Sequence, residues 1–179
     1  MKRILVGGVG NIFEGDDAFG VEVVRSLSAR TLRAEVELVD FGICGVDLAY
    51  ALTGGYEMVV LLDCAQCGEV PGTISIVEPK EEPSPQNMAA MAHNLDPATV
   101  LKSLAGHENL CERIVLVLCE PRSLGGDEGA MGLSETVAAA IKPAADVVER
   151  LAEGFLQEPA VAGRSVESMP GSKTERSVQ

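Results

Sequence analysis

The chain reads as an α/β protein, a single-domain three-layer sandwich whose largely parallel, twisted sheet of about five strands carries helices on both faces. Two observations predict this. Short runs of Val, Ile and Leu, too uniformly apolar for a strand with one wet face, alternate with segments whose apolar residues recur at helical spacing. The composition agrees: 46% of the 179 residues are hydrophobic, aromatics are 3% and Trp is absent, so the core must be aliphatic. A chain of this size buries roughly 70% of its unfolded surface in one core.

Each element follows in order. Lys2 to Gly8 is an apolar run ending in glycine, and Asp17 to Arg30 places Phe19, Val23, Val24 and Leu27 on one helical face. Val36 to Asp40 gives a second strand, Val46 to Leu52 a short helix, and Met58 to Leu62 a third strand that ends at Asp63. Thr73 to Val77 alternates outward Thr and Ser with inward Ile and Val, as near a sheet edge. Pro79 to Pro85 is acidic and proline-rich, which predicts an exposed loop, and Asp96-Pro97 is an N-cap with proline at the first helical position of a helix to about Leu104. Arg113 to Leu118 is a buried strand. Ser134 to Glu153 is the last helix, with Ser134 as cap and Pro143 expected to kink or split it. The folded domain is placed at residues 1–156; residues 157–179 lack periodicity and are expected to be a disordered tail.

With 27 acidic against 14 basic residues, a net charge of -13 argues against nucleic acid or anionic lipid as partner. The N-terminal apolar run stops at glycines and acids without a cleavage site, and no run is long enough to insert into a membrane, so a cytoplasmic location is expected. Five cysteines at irregular spacing fit thiols in a reducing compartment.

The most informative stretch is Gly7 to Asp17, a glycine-rich turn between strand and helix. Such turns usually cradle phosphate, but here Glu14, Asp16 and Asp17 would repel it and suit a cation or peptide N–H groups instead. Gly8-Val9-Gly10, with Asp40 ending the second strand, partly matches a dinucleotide fingerprint; the third glycine position is Phe13, and the match stops there. In an open α/β sheet ligands collect at the carboxyl ends of the strands. Asp17 and Asp63 fall there, and His93 lies in the loop before the Asp96-Pro97 helix. Together they are an O, N, O donor set for a borderline divalent metal with positions left open. Each residue type alone is commoner as a helix-dipole acid, a turn former or a solvated histidine.

Cys64-Ala-Gln-Cys67 follows Asp63 directly. At a helix start it would be a redox pair or half of a thiolate site, with Cys44 in the loop after the second strand as the thiol that could approach it; buried or idle thiols are the plainer reading. His107 lies in a polar turn and reads as a surface residue. No histidine is evidently set to activate a serine or cysteine nucleophile.

Gly10-Asn11, Asp16-Asp17 and Gly20 resemble the N-terminal signature of the nickel-iron hydrogenase maturation endopeptidases. Asp40-Phe-Gly-Ile-Cys-Gly45 is similar to that family's later Asp-x-Gly-Thr-x-Gly loop, with Ile43 in place of threonine; Glu120-Pro121 and Gly132-Leu-Ser134 extend the resemblance over about residues 3 to 150. It implies a phosphorylase/hydrolase-like fold and removal of a C-terminal extension from a nickel-loaded hydrogenase large-subunit precursor. It further implies that Asp17, Asp63 and His93 bind the metal and carry catalysis. Asp17 stands where many members have glutamate, and Asp16 or Glu14 is a substitute. Asp40, Gly42 and Gly45 would bind substrate. Nickel would come with the precursor, and zinc or cadmium would be accepted in its place. The water would be activated either by the metal with Asp63 as base, or by a neighbouring acid, Asp16 or Glu14. A different class stays open: a non-catalytic nickel-binding or redox-responsive thiol protein using Cys44, Cys64, Cys67 and His93.

Overall fold

The aliphatic runs form β1 (Ile4–Val9), β2 (Val36–Gly42), β3 (Met58–Cys64), β4 (Ile74–Val77) and β5 (Arg113–Cys119). The helices are α1 (Phe19–Ser28), α2 (Gly45–Leu52) and α3 (Glu135–Gln157), and a 3-10 turn at Asp16–Ala18 leads into α1. This computed structural model describes residues 2–78, 111, 113–125 and 131–159. His93, His107, the Pro79–Pro85 segment, the Asp96-Pro97 helix and the tail beyond residue 159 lie outside the described residues.

The sheet order is β2-β1-β3-β5-β4. β1, β2, β3 and β5 run parallel, and β4 is an antiparallel edge strand on β5. Alternation along the central strands builds two cores. Ile4, Val6, Met58, Val60, Leu62, Val115 and Val117 face α1 and α3, while Leu5, Val59, Leu61, Leu116 and Leu118 face Leu48 and Leu52 of α2. Helices therefore cover both faces, as the sequence predicts. Complete burial of a Leu, Ile or Phe of this kind stabilises by about 1.5–3 kcal/mol.

One close approach positions the site. A Cβ on Gly20 would lie 2.1 Å from the Leu62 carbonyl oxygen and 2.4 Å from that of Val9, so only glycine lets the start of α1 rest on the carboxyl ends of β1 and β3.

Some expectations change. β3 continues through Asp63 to Cys64, because both residues pair with β5 opposite Leu118 and Cys119. The Cys64–Cys67 motif therefore straddles a strand end and a turn, with no helix start. α3 runs unbroken through Pro143 and ends at Gln157, just past the boundary expected at 156; its exposed proline is not where the helix packs. In β4 the expected alternation is lost: Ile74 packs on the core, but Ile76 and Val77 are exposed on a strand paired on one side only. Among the described residues no helix is long and apolar enough to cross a membrane.

Candidate active site

The β1–α1 loop is folded by Asn11, whose side-chain Nδ2 donates to Glu14 Oε1 (2.9 Å) and whose Oδ1 accepts from Phe13 N (3.0 Å). The Asn11 backbone N–H donates to Asp17 Oδ2 at 2.6 Å. Gly10 completes the turn at φ +135°, and a Cβ there would sit 1.8 Å from the Asp17 carbonyl oxygen. The half-buried Asp17 is thus held over the end of β1.

Its neighbour Asp16 points elsewhere. It is 1% exposed, and its carboxylate accepts four hydrogen bonds: Arg122 N (2.9 Å), Ser123 N (3.1 Å) and Ser134 Oγ (2.9 Å) on Oδ2, and Ser134 N (2.6 Å) on Oδ1. Burial pushes the Asp16 carboxyl up, but the bonds from Ser134, Ser123 and Arg122 outweigh it and leave the group below its ordinary value. A carboxylate offers about four lone-pair sites. Three donors crowd Oδ2 and one occupies Oδ1, so Asp16, at 1% exposure, ties loops together and is poorly placed as a substitute ligand or general base. Ser134, expected as a side-chain cap, sits at the N-cap but gives its hydroxyl to Asp16.

Asp63 is buried near the end of β3, and its Oδ1 accepts the Cys64 N–H at 2.8 Å. The adjacent Cys64 thiol is pushed far up by burial first, then by the charges of Cys119, Asp63, Asp16 and Asp17. The turn that carries Asp17 packs against β3, which brings Asp17 and Asp63 to one edge of the sheet. They share the carboxyl ends of β1 and β3, where the strand order turns away from β2, which is the switch point of the sheet.

The loop after β2 joins this edge. Asp40 Oδ1 accepts Gly42 N (2.9 Å), Gly42 turns at φ +50°, and its carbonyl accepts Gly10 N (2.9 Å). Gly45 opens α2. Glu14 is half-buried beside Asn11. His93 is outside the described residues, and among those described no three His, Cys, Asp or Glu side chains are grouped to hold a metal.

The thiol reading finds little support. Cys67 is exposed, and burial, then Glu120 and Glu69, raise its thiol; Cys119 is pushed up to about 12 by burial, Asp16 and Glu120. Redox-active thiols are shifted the other way. Sequence reasoning gave Glu120 no role beyond a short motif. Its carboxylate is buried, and Oε2 accepts Cys67 N (2.7 Å) and Glu69 N (3.2 Å), fastening the loop after β3. Only the position of an acid at the end of a buried strand, before proline, signals this role. A groove of about 730 Å³ between α1 and α3, lined by Ile12, Ala18, Leu133 and Ile141 among others, contains neither Asp17 nor Asp63.

The fold and its acids define the class: a doubly covered α/β protein with two acids, Asp17 and Asp63, at the switch point of its sheet. Residues 21–151 match the family model of hydrogenase maturation proteases. The chain is 33% identical over 147 residues to the hydrogenase 2 maturation protease of Escherichia coli, covering 82% of this chain and 88% of that one. It is 32% identical over 148 residues to a putative hydrogenase maturation protease of Methanocaldococcus jannaschii, covering 82% and 94%. Among solved structures, the hydrogenase maturating endopeptidase HybD from Escherichia coli superposes with a TM-score of 0.71 at 31% identity, over 86% of this chain and 93% of that one. A [NiFe] hydrogenase maturation protease from Thermococcus kodakarensis gives 0.69 at 25% identity, over 85% and 93%. The chain belongs to the hydrogenase maturation protease family, and it is an endopeptidase.

Proposed function

We propose that this endopeptidase removes a C-terminal extension from the nickel-loaded large-subunit precursor of a nickel-iron hydrogenase in the cytoplasm. The observation that carries the reading is the pair Asp17 and Asp63 at the switch point, one in the turn after β1 that packs against β3 and the other near the end of β3 itself. Two carboxylates are hard oxygen donors, and with His93 they make a set that suits a divalent ion already held by the substrate. Nickel is in this reading part of the substrate; zinc or cadmium would fit the same donors.

This chain's residues then have separable roles. Asp17, held by Asn11, and Asp63, at the end of β3, present oxygens to the metal-bearing precursor. The rim is apolar: Ile12 and Phe13 after β1, Ile43, Val46 and Tyr50 after β2, and Val70 after β3 are all exposed. Such a rim suits a polypeptide better than a charged metabolite. Asp40, Gly42 and Gly45 lie on the same rim and would let the substrate backbone approach. For the water, Asp63 is the preferred base and Glu14 the second candidate, since Asp16 is buried and bonded to four donors.

The test is the intact mass of a co-encoded precursor, nickel-loaded or nickel-free, incubated with the protein. Loss of the extension from the loaded form alone supports the reading; no cleavage of demonstrably loaded precursor removes it. Asp17→Asn, Asp63→Asn and His93→Ala should each abolish cleavage with circular dichroism unchanged. A variant that still cleaves at the native rate drops that residue from the site.

A further inference from the structure

The segment that follows β5 touches both acid-bearing loops. On one side Arg122 N and Ser123 N donate to Asp16, Gly125 N donates to the Glu14 carbonyl (3.1 Å), and Leu124 bridges Gly15 in antiparallel fashion. On the other side Glu120 receives Cys67 N and Glu69 N, its own N–H donates to the Thr73 carbonyl (2.9 Å), and its carbonyl accepts Gly72 N (2.8 Å). The loop carrying Asp17 and the loop leaving Asp63 are thus fastened to the same six residues, Glu120–Gly125. Both fastening carboxylates are buried, Asp16 at 1% and Glu120 at 8% exposure.

We propose that Glu120–Gly125 is a brace that sets the separation of Asp17 and Asp63, with Asp16 and Glu120 as positioning residues that never touch the substrate. The inference rests on the cleavage reading above. Its chemistry is specific to each clamp. Glu120 uses one oxygen for two N–H donors, so a glutamine amide oxygen serves as well. Asp16 uses both oxygens, so in an asparagine the NH2 would face either Ser134 N or the Arg122 and Ser123 donors. Donor would then face donor at a position that is 1% exposed.

The experiment compares wild type with Asp16→Asn, Glu120→Ala, Glu120→Gln and a control, Val148→Ala, in the core under α3. Cleavage rates are taken over a range of precursor concentrations and divided by the folded fraction. Amide hydrogen exchange is followed at residues 10–17 and 63–69 relative to Leu5 and Val6 of β1. Asp16→Asn and Glu120→Ala are expected to lower kcat by roughly 10- to 100-fold with little change in KM, because misplacing reacting groups by about 1 Å costs that much. The same two variants should speed exchange in one or both loops by about 10-fold while β1 stays protected. Glu120→Gln should keep most of the rate, and Val148→Ala should match wild type per folded molecule. Wild-type rates and wild-type loop exchange in Asp16→Asn and Glu120→Ala would overturn the brace, as would Glu120→Gln behaving like Glu120→Ala. If wild type itself cleaves no loaded precursor, the cleavage reading fails, and the exchange pattern alone decides the brace.

Discussion

Asp16 and Asp17 are identical in chemistry and adjacent in sequence, yet one is spent on structure and the other faces the strand ends. The difference lies in partners contributed from 106 to 118 residues away, which no local pattern shows. Because the Asp16 carboxyl lies below its ordinary value of 3.8 when folded, its contribution is fully present above that pH and is lost as pH falls through the folded value. In urea titrations, wild type should exceed Asp16→Asn by about 2–4 kcal/mol at neutral pH, with the gap shrinking as pH falls below the ordinary value of 3.8. A gap independent of pH would mean the charge of Asp16 is not what the four donors hold. At the cysteines, the native protein at about pH 8 should be alkylated at exposed Cys44 and Cys67 while Cys64, Cys111 and Cys119 resist, as read by peptide mass. Cys64→Ala with Cys67→Ala should leave cleavage intact.

At the scale of elements, strands and helices were legible because their signals are local: the buried runs of β1, β3 and β5 and the Phe19, Val23, Leu27 spacing of α1 each fit one period. What was not legible depends on pairing. β3 gains Asp63 and Cys64 because β5 lies beside them. Ser134 marks the start of α3 correctly, but its hydroxyl donates to the buried Asp16 carboxylate, and its oxygen accepts no helix N–H. Pro143 shows the limit of a propensity rule. The long apolar face of α3, from Val137 through Ala145 and Val148 to Phe155, holds the helix together across it. Pro143→Ala should therefore stabilise the protein by about 1–3 kcal/mol, seen as a higher urea midpoint, since it restores an N–H and removes a ring clash. No gain would show that the helix has already adapted its backbone at that point.

At the scale of the whole molecule, 27 acidic residues face 14 basic ones, and the folded state concentrates that imbalance. Raising ionic strength from about 0.01 M to about 0.3 M should lift the melting midpoint by roughly 2–5 °C by screening self-repulsion. A fall would mean that surface pairs such as Arg30 with Asp146 and Glu149 outweigh the net charge. The aliphatic composition and the strand–helix order made the layered architecture and the edge that carries the acids readable. The assembly of that edge was not, since it is made by Glu120–Gly125 and Ser134. This has a consequence in time. Ser134 is 118 residues beyond Asp16, so at about 5–20 residues per second a ribosome needs roughly 6 to 24 s to supply the last donor. Until then the Asp16 carboxylate lacks both Ser134 donors, although Arg122 N and Ser123 N precede them. The tie between the β1–α1 loop and the start of α3 is thus the last of the Asp16 contacts that synthesis makes available.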